Sequence, residues 1–596
     1  MMRVADYIME RLCQEGVTHV FQVTGRGSLF LSDGLAKNTS LNAISLHHEQ
    51  SCAFAAIGFA ERSGGLGAAL VSTGCASTNT LTGVLSAWQD GVPCIFISGQ
   101  NILKETSRYT GINLRTYGQQ EADIVKIVTP ITKYAHMLTK SEDIVEVMNQ
   151  AITSALSGRK GPVWIDVPLD LQSALINPSS LQSEMIGLSV SKPIASDDDI
   201  KTMIKHFNSA IRPIVLIGKG IRASNTEQEL VNFVKKHNLP VTFTASATDT
   251  FGAWNSMSIG SVGAMGCSRA GNFAIANADF VLVLGSRLNS LNTGPDYCDF
   301  AREAKVVVVD IDAVEHSKNS IKIDQFIHTD LKDFFKLIEH SEFNSANIEW
   351  VERCLHWKKL FTKIEPNFQS QSKVDLYQLA DSLSNLLPRS STIVLDSGLA
   401  EVILPTNILF GEGMHCVHPT SQGAMGFALP ASIGVQYVSK EPVLVVVGDG
   451  SIMMNLQELE SIRYQKLPIK IIVINNNVYS IIRKRQKDLF RTRTIGTDPG
   501  NGTSCPDFRK VAECFDFNYI KIDTIENLNS GLTDLFKMEG PVLCEIMGVE
   551  DQGYIEVGNA RSEVDRRIVR RPLEDQMPFL DRQLFLNEMI INPIKQ

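Results

Sequence analysis

"VLVVVGDGSIMMNLQELESIRYQKLPIKIIVINNNVY", residues 443–479, decides the fold. An apolar run stops at Gly448-Asp449-Gly450, a helical stretch follows, and a second apolar run stops at Asn475-Asn476-Asn477. Two apolar runs joined by one helical crossover read as neighbouring strands of a parallel sheet. Ligands of such sheets bind at the carboxyl ends of the strands, where Asp449 and Asn476 fall. Gly448 and Gly450 let a ligand come close to the backbone, and free N–H groups at the next helix, from Ser451, suit phosphate. A carboxylate, an amide oxygen and phosphate oxygens form a hard-oxygen shell that suits Mg²⁺. The stretch therefore reads as a Mg²⁺-diphosphate site.

At 596 residues the chain is too long for one core, and three domains are expected. Apolar residues make up 44% and charged residues 20%, as in a globular protein. The net charge of −9 gives no basic footprint for nucleic acid. No apolar run is long enough to span a bilayer, and residues 1–16 read as an amphipathic helix rather than a signal peptide. Eleven scattered cysteines without zinc-type spacing fit reduced thiols in the cytoplasm.

The fold class expected is α/β, with three doubly wound parallel-sheet domains: 1–180, 190–340 and 372–550, then a tail, 551–596, able to cover the active site. The stretch 176–198 reads as a linker, and 340–372 is polar and lacks strand-like runs. "GPVWIDVPLD" (161–170) and "GPVLCEIMGV" (540–549) end the first and third units alike, which suggests that the two share one fold.

The paired Gly-Asp-Gly and Asn-Asn motif resembles the signature of thiamine diphosphate (ThDP)-dependent enzymes, and "QELESIRYQKLPIKIIVINNN" is similar to their acetolactate synthase branch. The resemblance covers about residues 3–550, in the order pyrimidine-binding, central and diphosphate-binding domain. It implies that Asp449, Asn476 and the Val478 carbonyl hold Mg²⁺, with Gly448, Gly450 and Ser451 beside the diphosphate. "LHHEQSCAFAAIGFAERSG" (46–64) resembles the family's glutamate helix. Glu49 would there bond the cofactor's pyrimidine nitrogen, so that the aminopyrimidine can take the thiazolium C2 proton. Met425, in "SQGAMGFALPASIG", would be the apolar wedge under the cofactor, and Gln120, in "YGQQEADIVKIVTPITK", would line the substrate pocket. The central domain of acetolactate synthases binds a structural FAD. Gly285, Arg287, Asp310, Ile311, Glu315 and Asp330 occupy matching positions, with ADP or an empty domain as alternatives. The family also implies a homodimer or homotetramer whose active sites lie between subunits.

Departures bear on the substrate. "RLNSL" (287–291), "GLAE" (398–401) and "GCA" (74–76) differ from the biosynthetic acetolactate synthases. Arg485 stands where those enzymes place the aromatic residue that selects the acceptor, within a stretch carrying Arg483, Lys484, Lys487, Arg491 and Arg493. "HVFQVTGRGSLFLSDGLA" and "RRPLEDQMPFLDRQLF" resemble carboligases of surface-polysaccharide biosynthesis. The expected activity is decarboxylation of a 2-keto acid, pyruvate first, and transfer of the two-carbon unit to a carbonyl acceptor. The basic stretch reads either as a solvated basic face or as an electropositive entrance for an anionic acceptor, for which the resemblance suggests a nucleotide-linked keto-deoxysugar. The alternatives are acetolactate formation from two pyruvates, a simple decarboxylase or acyltransferase, and a catalytically silent subunit.

Overall fold

The computed structural model describes residues 1–182, 192–318, 320–361, 364–562 and 566–594. Three six-stranded sheets follow one another along the chain. The first contains β1 (His19–Gln22), β2 (Asn42–Ser45), β3 (Gly67–Val71), β4 (Cys94–Gln100), β5 (Tyr134–Met137) and β6 (Val163–Pro168). The central sheet contains β7 (Pro213–Ile217), β8 (Val241–Phe243), β9 (Ser258–Ser261), β10 (Phe280–Leu284), β11 (Lys305–Asp310) and β12 (Gln325–His328). The third contains β13 (Thr392–Leu395), β14 (His415–Val417), β15 (Leu444–Gly448), β16 (Lys470–Asn475), β17 (Asn518–Ile522) and β18 (Val542–Met547).

Every pairing in these sheets is parallel. Such strands bury both faces and read as continuous apolar runs. In the third sheet, alternate residues serve opposite faces. Val445, Val447, Ile471 and Val473 belong to one core. Leu444, Val446, Ile472 and Ile474 belong to another.

The central order is β9-β8-β7-β10-β11-β12, the nucleotide-binding order whose switch point lies between β7 and β10. The first and third orders are β2-β1-β3-β4-β6-β5 and β14-β13-β15-β16-β18-β17, the same order twice. The likeness of "GPVWIDVPLD" to "GPVLCEIMGV" has a topological meaning: each precedes or forms the sixth strand, inserted between the fourth and fifth.

The expected linker 176–198 begins within structure. Leu175–Ile176 pairs antiparallel with Met2–Arg3, and a short helix spans Pro178–Gln182. Part of that stretch, 183–191, lies outside the described residues. The polar region after 340 contains a helix, Ile348–Leu360. It buries Trp350, Val351, Cys354 and Trp357 at wide helical spacing, so the period-two signal of a strand is absent there.

One core joins the first domain to the third. Helix α1 (Glu49–Ser63) packs on α2 (Ala428–Gln436) through mutual close approach. A Cβ at Gly58 would lie 2.1 Å from the Ala431 carbonyl oxygen, and one at Gly434 would lie 1.9 Å from that of Ala55. Neither backbone neighbour can move aside as a side chain would. Gly434→Val should therefore destabilise the protein by about 1–3 kcal/mol, the usual effect of overpacking. Urea unfolding followed by tryptophan fluorescence checks this; an unchanged midpoint would show that the helices separate freely.

Candidate cofactor site

The two strand ends of the opening stretch meet. β15 and β16 are paired neighbours, and the Asp449 N–H donates to the Ile474 carbonyl at 3.0 Å. The Asp449 carboxylate is buried and accepts from the N–H groups of Gly450 at 2.7 Å and Asn477 at 2.6 Å. Burial raises its pKa above the usual carboxylate range, against the pull of those N–H donors. No side-chain cation pairs with it among the described residues. A buried anion supplied with donors but no counter-ion fits a site completed by a metal.

Each asparagine has its own task. The Asn475 amide donates to Glu545 at 2.6 Å. Asn476 donates to the Ser480 hydroxyl at 2.7 Å and accepts from the Val478 N–H at 3.3 Å. Asn477 takes the left-handed bend (φ 58°), which asparagine tolerates better than most residues. A Cβ at Gly450 would lie 2.0 Å from the Tyr479 ring, whereas one at Gly448 would meet nothing within 4 Å. Space for a ligand thus opens over Gly448, while Gly450 is required by packing.

Asp449, Asn476 and Val478 offer oxygen donors with a single carboxylate, which fits Mg²⁺ shared with phosphate. No cluster of three His, Cys, Asp or Glu residues suited to a metal exists among the described residues.

Ser451 and Met425 meet through a residue that sequence reading missed. Asp396, just past β13, is fully buried and accepts from the N–H groups of Gly426 at 3.0 Å and Ala428 at 2.8 Å. It also bonds the Ser451 side chain. It thereby fixes the bend beside half-buried Met425. Its signal was an acid ending the apolar run "TIVL", as Asp449 ends "LVVV".

Glu49 stands in the first turn of α1, half-buried, accepting from Asn79 at 2.9 Å. Its neighbour Gln50 accepts from Asn455, which also donates to the Gly426 carbonyl at 2.8 Å. No hydrogen bond or ion pair joins Glu49 to Asp449 or Asn476 among the described residues. Gln120 is exposed, in a left-handed conformation (φ 59°), with its carbonyl seated against Gly74.

A cavity of about 430 Å³ opens beside the central switch point. Gly285, Arg287, Asp310, Ile311 and Asp330 line it. Glu315 does not; it pairs with Arg159 at 2.8 Å and Lys318 at 2.7 Å. The Arg287 side chain donates to Ser421 at 2.7 Å. The lining also includes Arg159 and Lys160 of the first domain and Glu401 and His418 beyond β13, so the space reaches all three domains.

The basic stretch is partly ion-paired within the chain. Arg485 pairs with buried Glu556 at 2.9 Å, and Lys484 pairs with the same carboxylate at 2.6 Å. Arg483 and Lys487 both pair with Asp551, at 2.9 and 3.1 Å. Two carboxylates of the tail segment, Asp551 and Glu556, thus each pair with two of the six basic side chains.

Three family models match in chain order: the thiamine pyrophosphate enzyme N-terminal TPP binding domain over 2–127, the central domain over 200–338 and the C-terminal TPP binding domain over 396–546. The chain belongs to the ThDP-dependent enzymes. It is 28% identical over 582 residues to the acetolactate synthase large subunit of Haemophilus influenzae, covering 96% of this chain and 99% of that one. It is 29% identical over 562 residues to the large subunit of Buchnera aphidicola subsp. Schizaphis graminum, covering 92% and 95%. Acetolactate synthase 2, chloroplastic, of Nicotiana tabacum is 28% identical over 563 residues, covering 91% and 82%.

Asp396 generates a pH prediction. Burial pushes its pKa up to about 7, against about 4 in an unfolded chain. The folded state then binds the extra proton between these values, so this group lowers stability as pH rises from about 4 to 7. Asp396→Asn should be less stable overall, yet flatten the fall across that window. Unfolding midpoints at several pH values test it; an unaltered slope would assign the dependence to other groups.

Proposed function

We propose that this enzyme is a Mg²⁺- and ThDP-dependent carboligase that decarboxylates a 2-keto acid, pyruvate first, and joins the two-carbon unit to a second 2-keto acid. The reading rests on the buried, uncompensated Asp449 at paired strand ends, together with relatives named acetolactate synthase over nearly the whole chain. The nucleotide-sugar acceptor finds no support in those relatives' names, and Arg485 is paired with Glu556.

When bound, ThDP supplies a carbon nucleophile that also stabilises the electrons left by CO₂. The chain's own residues prepare and confine it. Asp449, Asn476 and the Val478 carbonyl hold the metal and, through it, the diphosphate. Glu49 holds a proton at the pyrimidine nitrogen. Met425, fixed by Asp396, supplies the apolar support, and Gln120 faces the keto acid.

The cofactor site joins two subunits in this proposal, with Glu49 from one and Asp449 from the other. FAD in the three-domain cavity serves structure, supported by the lining of Gly285, Arg287, Asp310, Ile311 and Asp330. The tail from 551 covers the site, supported by Glu556 holding Lys484 and Arg485. The eleven free cysteines support a cytoplasmic location, and no helix among the described residues is long and apolar enough to cross a membrane.

Mass spectrometry of the products from pyruvate, ThDP and Mg²⁺ tests the activity. Acetolactate with CO₂ is expected; acetaldehyde or acetyl phosphate alone would favour the decarboxylase or acyltransferase. Glu49→Gln should slow exchange of the cofactor's C2 proton by about 10²–10⁴-fold, the usual worth of acid–base help. NMR measures that exchange, and an unchanged rate removes Glu49 from the role.

A further inference from the structure

The first and third sheets share more than strand order. Their inserted sixth strands each carry one buried acid at the same register. Asp166 on β6 lies opposite Ser98 of β4, and Glu545 on β18 lies opposite Val473 of β16. Two residues beyond those positions, each fourth strand ends in an amide, Gln100 or Asn475. Each amide donates to its acid: Gln100 to Asp166 at 3.1 Å, Asn475 to Glu545 at 2.6 Å. The remaining oxygen of each acid accepts from a hydroxyl, of Ser98 at 2.6 Å and of Tyr519.

Asp166 is 1% exposed and Glu545 6%. Neither pairs with a side-chain cation among the described residues. Burying a carboxylate without a cation is costly, and an apolar residue would fill either strand position at less cost. The same acid–amide contact, twice at one register, calls for a task at the loops beyond.

Those loops are the two halves of the candidate site. The Gln100 carbonyl oxygen accepts from the Thr73 hydroxyl at 2.6 Å, and its amide also donates to the Ala122 carbonyl at 3.0 Å. Thr73 and Ala122 flank the contact of Gly74 with the Gln120 carbonyl. Gln100 thus ties the turn that presents Gln120. Asn475 opens the run that carries Asn476 and Val478. A carboxylate bonded to the NH₂ end of an amide decides which way its oxygen faces.

We propose that Asp166 and Glu545 are paired positioning residues: each fixes the amide that ends its fourth strand, and through it one loop of the cofactor site. Glu545 sets the metal-holding segment 475–478, and Asp166 sets the turn bearing Gln120. This rests on the site reading given above.

The test crosses two variants with two readouts. Wild-type apoprotein is first titrated calorimetrically with Mg²⁺ at fixed ThDP; no binding there would defeat the site reading itself, before any variant is compared. Glu545→Gln should weaken the apparent Mg²⁺ affinity about tenfold or more, the effect of losing a hydrogen bond to a charged group. Its KM for pyruvate at saturating cofactor should stay within about twofold. Asp166→Asn should do the reverse, raising KM about tenfold while leaving the Mg²⁺ titration unchanged. Asn475→Leu and Gln100→Leu remove the amides, keep the acids and should reproduce the respective losses; they also decide the matter if an acid variant does not fold. Equal loss of both readouts in every variant, or a change in unfolding midpoint alone, would overturn the proposal.

Discussion

A carboxylate removed from water, with no cation beside it, is the constraint on which the site depends. Asp449 is held by two backbone N–H groups at the end of β15. Those bonds fix its direction, but they do not neutralise it, and burial raises its pKa. The remaining requirement is a positive charge, and the nearby oxygen donors are an amide and a main-chain carbonyl. An ion that accepts hard oxygen ligands and brings phosphate with it satisfies the site. The left-handed bend at Asn477, the Gly450–Tyr479 contact and the Asn476–Ser480 bond all serve to hold that carboxylate and that amide in place.

The repeated strand order explains how the site is assembled from two parts. The first and third domains are two uses of one topology, joined by α1 and α2 at a glycine-lined contact. Asn455 links that contact to function, because it touches Gln50 beside Glu49 and Gly426 beside Met425. The central domain keeps the nucleotide-binding order and contributes the cavity at its switch point.

Most of the fold was legible in local pattern. Apolar runs of four to six residues between helical stretches specify buried parallel strands, and all three sheets follow from that rhythm. The repeat showed through ten residues, "GPVWIDVPLD", because a strand inserted between two others is buried on both faces. That Asp449 and Asn476 lie just past the ends of two neighbouring strands was legible from chain order, whereas Val478 came only from the family motif. Asp396 was not, since its importance comes from Gly426, Ala428 and Ser451, which folding alone brings near. The ion pairs of the Arg485 stretch with Asp551 and Glu556 were not legible for the same reason, since only folding brings them together. Helix 348–360 was overlooked because its buried residues are spaced among charged ones.

The most direct measurement is calorimetric ThDP binding at saturating and zero Mg²⁺, in wild type and in Asp449→Ala. The account predicts Mg²⁺-dependent binding in the wild type and its loss in the variant, with the fold retained by circular dichroism. Full Mg²⁺-dependent affinity in Asp449→Ala would contradict it and place the metal elsewhere.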